Sequence, residues 1–145
     1  KKQIIIIALF LLGITLFNDV KAQSLTTSQV ENAIKKDGKY ALLVQNSMHF
    51  MVSVMTGEEY KTKNAGIQFE IILIGEVVKD LAEKEDLKAF IQRAEKAGIK
   101  IVVCEFAMNK LGVNKSQYHS SILTTPNGFT YIFGLQELGF KTITL

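Results

Sequence analysis

The feature that most constrains the fold is the run at residues 99–103, which is apolar at nearly every position. A strand with one solvated face alternates apolar and polar residues, whereas a continuous apolar run is typical of a strand buried on both faces of a parallel sheet. A helix is predicted before this run by the helical spacing of Leu87, Phe90, Ile91 and Ala94. A parallel sheet with helices on both sides is therefore the first expectation.

The same alternation of strand-length and helical patterns repeats along the chain. The predicted strands cover residues 40–44, 69–74, 99–103, 122–124 and 140–145, and the predicted helices cover about 28–37, 47–55, 87–97, 105–111 and 129–138. A capping box at Ser28 and Glu31 is predicted to begin the first helix. Together these segments predict an α/β fold, a three-layer α/β/α domain with a mostly parallel sheet of about five strands.

The first 22 residues have the order of a secretory signal. Lys1 and Lys2 precede an apolar run at residues 4–17, and a small residue, Ala22, ends the segment. The run of about 14 residues is shorter than the roughly 20 that a membrane-spanning helix needs. We therefore expect a signal peptide at residues 1–22 that is cleaved after Ala22, export to a bacterial periplasm or out of the cell, no membrane association after cleavage, and a mature domain at residues 23–145.

Charge and composition exclude several classes of function. With 48% apolar and 21% charged residues in 145, the chain is expected to fold as one domain. Removing residues 1–22 takes away three lysines and one aspartate and lowers the formal charge from +3 to +1. This near-neutral domain has no basic stripe, so nucleic-acid binding is not expected. The sequence also lacks glycine-rich nucleotide motifs and zinc motifs, so we expect no cofactor and no metal.

Cys104 is the only cysteine, and it follows the predicted strand 99–103 directly. A disulfide within the chain is therefore impossible, which leaves a buried inert thiol, a crosslink between chains, or a reactive thiol. In open α/β sheets, ligands bind in the crevice beyond the carboxyl ends of the strands, where Cys104 is predicted to lie. A helix starting after Cys104 would favour its thiolate, whereas the neighbouring Glu105 would oppose it.

Several motifs near Cys104 and beyond it resemble the DsrE/DsrF-like family. The segments that carry the resemblance are residues 97–104, Met108, Gly112 with Val113, residues 125–128 and residues 135–140. They correspond to a glycine-led apolar strand ending in cysteine, a downstream Gly-Val, a proline-glycine turn and a terminal segment of the form LQ..G-aromatic. The match is best from residue 97 to the end of the chain.

This resemblance implies a three-layer α/β domain that assembles as a homotrimer or hexamer. It also implies that Cys104 carries a persulfide and passes sulfur between a donor and an acceptor protein, without a cofactor. Where many members have a His-Gly or Gly-x-Gly turn after the second strand, this chain has Ile74-Gly75-Glu76-Val77. The alternative is a noncatalytic oligomeric domain that binds a small ligand or a partner and keeps its cysteine buried, so the sequence does not decide whether the protein is an enzyme.

Four further residues are candidate binding residues. Asn46 and Ser47 follow the first predicted strand, where polar ligand contacts are common, although the same residues also suit a turn and a helix cap. His49 is a candidate proton acceptor for the thiol in the same crevice, and Gly75 belongs to the loop after the second strand. Met48, Met51 and Met55 form an apolar stripe that indicates core or subunit packing.

Overall fold

The computed structural model describes residues 24–145, so the predicted signal peptide lies outside the described residues. In chain order the elements are α1 (Thr27–Glu31), β1 (Lys39–Val44), α2 (Ser47–Lys63), β2 (Gln68–Leu73), α3 (Val77–Glu83), α4 (Asp86–Ala97), β3 (Lys100–Cys104), α5 (Glu105–Leu111), a 3₁₀ helix (Lys115–Gln117), β4 (Leu123–Thr125), α6 (Gly128–Glu137) and β5 (Lys141–Thr144). Between residues 24 and 145, no helix is long and apolar enough to cross a membrane.

The chain divides into two units, Lys1–Ala33 and Ile34–Leu145. Within the first unit, α1 is a single turn capped by Thr26, whose side chain accepts the Gln29 amide while the Gln29 side chain accepts the Thr26 amide. The predicted capping box at Ser28 and Glu31 is therefore wrong by two residues. The predicted extension to residue 37 is also wrong, because α1 buries no residue that would hold a longer helix in place.

The second unit is built on a five-stranded sheet in the order β4-β3-β2-β1-β5, with every neighbouring pair parallel. This confirms the predicted α/β fold with a parallel sheet of five strands and helices in layers on its two faces. The predicted strands agree with the observed ones to within one residue at each end. Both ends of α5 agree with the prediction.

The handedness of the connections between parallel strands explains which face of the sheet each helix covers. The chain runs from β1 through β2 and β3 to β4 in one direction across the sheet, and then returns past all of them to place β5 beside β1. Parallel crossovers are almost always right-handed, so the first three connections put their helices on one face and the returning connection puts α6 on the other. One apolar core therefore lies under α2 to α5, and a second lies under α6.

Helix α3 was not predicted. Its buried residues are Val77, Val78 and Leu81, which contact the larger of the two cores. A helix of seven residues presents too few apolar positions for a clear periodic pattern, and its first turn has no side-chain cap that would mark its start. The sequence pattern after β2 therefore does not predict this helix.

Candidate functional site: a thiol pocket at the carboxyl edge of the sheet

The two helices that follow β3 and β4 leave the sheet on opposite faces. Helix α5 packs in the larger core and α6 in the smaller one, although β3 and β4 are neighbours in the sheet. Where adjacent strands send their connections to opposite faces, a crevice opens at their carboxyl ends, and open α/β sheets bind ligands there. The fold therefore places its crevice beyond the last residues of β3 and β4.

Cys104 is the last residue of β3 and lies at this crevice. Its side chain is 4% exposed, and its Sγ accepts a hydrogen bond from the backbone N–H of Gly128 at 3.3 Å. Gly128 is the first residue of α6, so the sulfur lies at the amino end of that helix. An N–H donor at the positive end of a helix favours the anionic form of a sulfur atom. The donor helix is α6, whereas the sequence predicted that the helix starting at Glu105 would supply this effect.

Asn127 caps the start of α6 and accepts hydrogen bonds from two of its free backbone amides. Its Oδ1 accepts hydrogen bonds from the amides of Phe129 at 2.9 Å and Thr130 at 3.3 Å. The first amides of a helix have no partner within the helix, and a side-chain cap normally satisfies two of them. Since Asn127 takes those of Phe129 and Thr130, the amide of Gly128 is left to donate to Cys104.

Only glycine allows α6 to approach the thiol so closely. A Cβ atom on Gly128 would lie 2.6 Å from Ile74 Cγ2 and 3.3 Å from Cys104 Cβ. A contact of 2.6 Å between carbon atoms is strongly repulsive, so any side chain here would move α6 away from the sheet. Gly128 therefore sets the distance between the helix and the sulfur.

The carboxylate of Glu105 is held on the other side of β3. It accepts a hydrogen bond from Thr124 Oγ1 at 2.6 Å. In the β3–β4 pairing Cys104 faces Thr125, so alternation places the Thr124 side chain on the opposite face of the sheet from the Cys104 side chain. The Glu105 carboxylate therefore lies on the opposite face of the sheet from the Cys104 sulfur.

Cys104 lines a pocket of about 380 Å³. The apolar side chains around it come from the end of β2, from α5 and from the start of α6: Ile74, Phe106, Ala107, Leu111 and Phe129. Gly75, Glu76, Lys110 and Asn127 complete the lining. The pocket thus combines one sulfur atom with mainly apolar walls and with polar groups from three segments.

The structure brings together two of the five candidate residues. Cys104 and Gly75 both line the pocket, and Gly75 adopts a left-handed conformation with φ of 68° that turns the chain out of β2. The strand order places β1 two strands from β3, which corresponds to roughly 10 Å across the sheet. Asn46, Ser47 and His49 follow β1 and do not line the pocket.

These three residues instead make contacts at the start of α2. Asn46 Oδ1 accepts the His49 amide at 2.9 Å, and the Asn46 side-chain nitrogen lies 2.9 Å from His49 Nδ1. Ser47 donates a hydrogen bond to Asp80 of α3. Burial tends to raise the pKa of Asp80, but the hydrogen bonds from Ser47 and Lys84, together with the positive charges of Lys84 and Lys79, lower that pKa below its ordinary value. The three side chains thus cap α2 and join it to α3.

Sequence reasoning missed the pocket walls. Phe106 and Lys110 are four residues apart on α5, so they share one face, and this spacing was visible in the sequence. That their face meets Phe129 of α6 depends on the return connection from β4, which no local pattern reveals. Among residues 24–145, no group of three histidine, cysteine or acidic side chains is placed to hold a metal ion.

Fold and pocket together define a class: a layered α/β domain with a cysteine in the crevice at the carboxyl edge of a parallel sheet. The chain belongs to the DsrE/DsrF-like family, whose model matches residues 27–145. The match covers both the Cys104 segment and the earlier half of the domain, where only the order of strands and helices supported the resemblance. A comparison with curated proteins found no match.

Solved structures confirm the fold. A protein of unknown function, MTH1491 from Methanobacterium thermoautotrophicum, matches with a TM-score of 0.67 and 11% identity over 75% of this chain and 100% of that chain. A conserved protein of unknown function, BT1422 from Bacteroides thetaiotaomicron, has a TM-score of 0.62 and 22% identity over 79% of this chain and 100% of that chain. The ychN protein from E. coli has a TM-score of 0.59 and 8% identity over 74% of this chain and 99% of that chain. At these identities the similarity concerns the fold alone.

Proposed function

We propose that this protein carries sulfane sulfur as a persulfide on Cys104 and passes it to an acceptor thiol. The observation that carries the proposal is the hydrogen bond from Gly128 N–H to Sγ at the wall of the pocket. Membership of the DsrE/DsrF-like family, which suggests sulfur-relay chemistry, supports the same conclusion. A lone thiol is sufficient for this chemistry, since accepting and releasing sulfur needs no metal and no organic cofactor.

The proposed transfer is a nucleophilic exchange at sulfur. The Cys104 thiolate attacks the outer sulfur of a donor persulfide, the S–S bond of the donor breaks, and the remaining donor thiolate leaves with the bonding electron pair. Cys104 then holds the outer sulfur in a new S–S bond. An acceptor thiolate attacks that sulfur in turn and releases the Cys104 thiolate, so the two exchanges need no external oxidant or reductant.

The hydrogen bond from Gly128 acts twice in this cycle. It favours the thiolate that attacks the donor, and it stabilises the same thiolate when Cys104 becomes the leaving group. The apolar walls limit access of water to the persulfide, which would otherwise lose sulfur to solvent nucleophiles.

The proposal includes the setting of the protein. We propose that residues 1–22 direct export and are removed after Ala22, and that the mature protein forms a homotrimer or hexamer. Exposed apolar side chains on α2 support assembly. If cleavage occurs as proposed, the mass of protein secreted by an expressing bacterium corresponds to a chain that begins at Gln23.

Intact-mass measurement of the native protein tests the carrier function. Incubation with inorganic polysulfide, followed by removal of the excess, should add the mass of one sulfur atom to each chain. Subsequent incubation with a small acceptor thiol should remove that mass. Cys104→Ser, which replaces the only thiol with a hydroxyl of similar size, should gain no sulfur.

Absence of the added sulfur in the folded wild-type protein would contradict the proposal. The same preparation should then be alkylated before and after unfolding. Alkylation only after unfolding would identify Cys104 as an inaccessible core residue and would leave the carrier function without a nucleophile.

A second candidate function is a binding domain with an inert cysteine. It is favoured by the 4% exposure of Cys104 and by its place in the smaller core beside Ile72 and Ile132. In that case Cys104→Ala, which keeps the pocket walls, should retain the cellular function of the protein. Loss of that function in a folded Cys104→Ala variant would favour the carrier.

A further inference from the structure

We propose that the thiol pocket selects small organic sulfur compounds that combine an apolar body with a carboxylate, and that Lys110 recognises the carboxylate. The inference rests on the proposed function, because it names the class of donor or acceptor for the same site. It requires three properties of the pocket: apolar walls, an available cation among the lining residues, and dimensions that suit a small molecule.

Apolar side chains dominate the walls around the thiol. Ile74 is buried, whereas Phe106 and Phe129 are 61% and 54% exposed although they line the pocket. Large aromatic side chains exposed beside a concave surface gain free energy when an apolar body covers them. The walls thus favour a ligand with a hydrocarbon portion over a fully hydrated ion.

Lys110 supplies a cation beside this apolar surface. Its Nζ lies 5.7 Å from the centre of the Phe106 ring, and both side chains line the pocket. Across the described part of the chain, no carboxylate lies within 4 Å of Lys110 Nζ. A charge that lines an apolar pocket and has no ion pair is suited to hold the anionic end of a ligand.

Glu76 gives the pocket a second charge of opposite sign. It follows Gly75 at the end of β2, whereas Lys110 belongs to α5. An anionic ligand is therefore attracted by one lining residue and repelled by another. The two charges allow a test in which neutralising each of them changes the selectivity in opposite directions.

The dimensions favour a small molecule. A volume of about 380 Å³ is near the lower end of the range for small-molecule sites. The sulfur is almost completely covered, while the aromatic side chains around it remain exposed. A ligand must therefore reach past the side chains with a narrow reactive end, as a small thiol or persulfide does.

Two alkylating reagents that are nearly equal in size but differ in charge distinguish the effect of ligand charge from the accessibility of the Cys104 thiol. Iodoacetate carries a carboxylate and iodoacetamide is neutral, and both alkylate the Cys104 thiolate. The ratio of their rate constants, divided by the same ratio for N-acetylcysteine, measures the preference of the pocket for an anion. Lys110→Gln should lower this normalised ratio about threefold, which is the size expected for one exposed ion pair. Glu76→Gln should raise it.

Lys96→Gln is the matched control. It removes the same charge from α4, where Lys96 lines a different groove. The ratio should change little in this variant, and an equal decrease in Lys96→Gln and Lys110→Gln would overturn the inference, because the effect would then come from net charge alone.

A second pair of reagents tests whether the pocket favours a ligand with an apolar body. N-benzylmaleimide should react with native Cys104 faster than N-ethylmaleimide after both rates are divided by those for N-acetylcysteine. A slower normalised rate for the benzyl reagent would overturn the inference, since the walls would then exclude the body that they are proposed to bind.

The two proposals fail in different ways. If polysulfide loads Cys104 while Lys110→Gln leaves the normalised ratio unchanged, the carrier function stands and the carboxylate selectivity is wrong. If native Cys104 reacts with none of these reagents and accepts no sulfur, both proposals are wrong.

Discussion

At the scale of single residues, Gly128 contributes to the thiol pocket in two ways. The absence of a side chain permits the contact of α6 with Ile74, and its N–H is the donor to Cys104. Few positions combine a steric requirement with a direct contact to the reactive atom. Substitution at Gly128 should therefore affect both stability and reactivity.

We predict that Gly128→Ala destabilises the protein by about 1–3 kcal/mol, because the new Cβ would overlap Ile74 and force α6 outwards. The hydrogen bond to Cys104 would lengthen, and native alkylation of the thiol should slow severalfold at neutral pH. Urea unfolding and iodoacetamide kinetics measure the two effects.

Gly134 provides the control within the same helix. Nothing lies within 4 Å of a Cβ placed there, so Gly134→Ala should stabilise α6 by about 0.5–1 kcal/mol and leave alkylation unchanged. Equal stability changes in both variants would show that close packing at Gly128 is not required.

Tyr131 should make the stability depend on pH in the alkaline range. Burial, together with the hydrogen bond to Glu70 at 2.8 Å and the Glu70 charge, raises the pKa of Tyr131 to about 12. Because the folded state holds this proton more tightly than the unfolded state, the contribution is complete below pH 10 and is lost as the pH rises towards 12. After allowance for partial exposure, the loss should be about 1 kcal/mol.

The measurement is the free energy of unfolding in urea at pH 9 and pH 11.5. Tyr131→Phe removes the titrating group, so its stability should fall less between the two pH values than that of the wild type. An identical decrease in both proteins would contradict the assignment. Burial also raises the pKa of Tyr118 to about 12, so part of the decrease should persist in Tyr131→Phe.

At the scale of elements, two α-helices between residues 24 and 145 begin with an asparagine cap, but only one of these two begins at the thiol. Asn46 caps α2 and Asn127 caps α6, each through its side-chain oxygen. Substituting each asparagine in turn therefore distinguishes the contribution of a helix cap to stability from its effect on the reactivity of Cys104.

We predict that Asn46→Ala and Asn127→Ala each cost about 1 kcal/mol of stability. Only Asn127→Ala should change the rate at which native Cys104 is alkylated, because the first turn of α6 then loses its fixed position beside the sulfur. A change of similar size in Asn46→Ala would support the sequence prediction that Asn46, Ser47 and His49 take part in the site.

The same comparison indicates what sequence can predict at this scale. The order of strands and helices was visible because residues 99–103 are apolar at every position except Lys100 and because Gly98 and Gly112, both at positive φ, end the helices beside β3. The placement of Cys104 at the carboxyl edge followed from that order. The identity of the donor helix did not, because Cys104 and Gly128 belong to elements that are separated along the chain by α5, the 3₁₀ helix and β4.

At the scale of the whole molecule, α2 exposes apolar side chains that the proposed assembly would bury. Met48, Val52 and Met55 lie along one side of α2 and are 50–67% exposed, whereas Met51 packs against the core. The sequence predicted a methionine stripe of Met48, Met51 and Met55, and the exposed stripe differs from it by one residue.

We predict that replacing both Met48 and Met55 with glutamine lowers the mass of the assembly measured by light scattering, because their burial between subunits would no longer be favourable. Phe133→Gln is the control, since Phe133 is equally exposed on α6 at the other face of the sheet. Dissociation in the control but not in the methionine variant would assign the interface to α6.

The position of the pocket between α5 and α6 has a thermodynamic consequence. The two helices belong to the two cores on opposite faces of the sheet, so a molecule in the pocket is in contact with both layers at once. Any compound that binds there binds the folded state alone and raises the unfolding temperature in proportion to the logarithm of its concentration. The pocket can therefore be titrated by thermal denaturation of Cys104→Ser, in which occupancy is measured without sulfur chemistry.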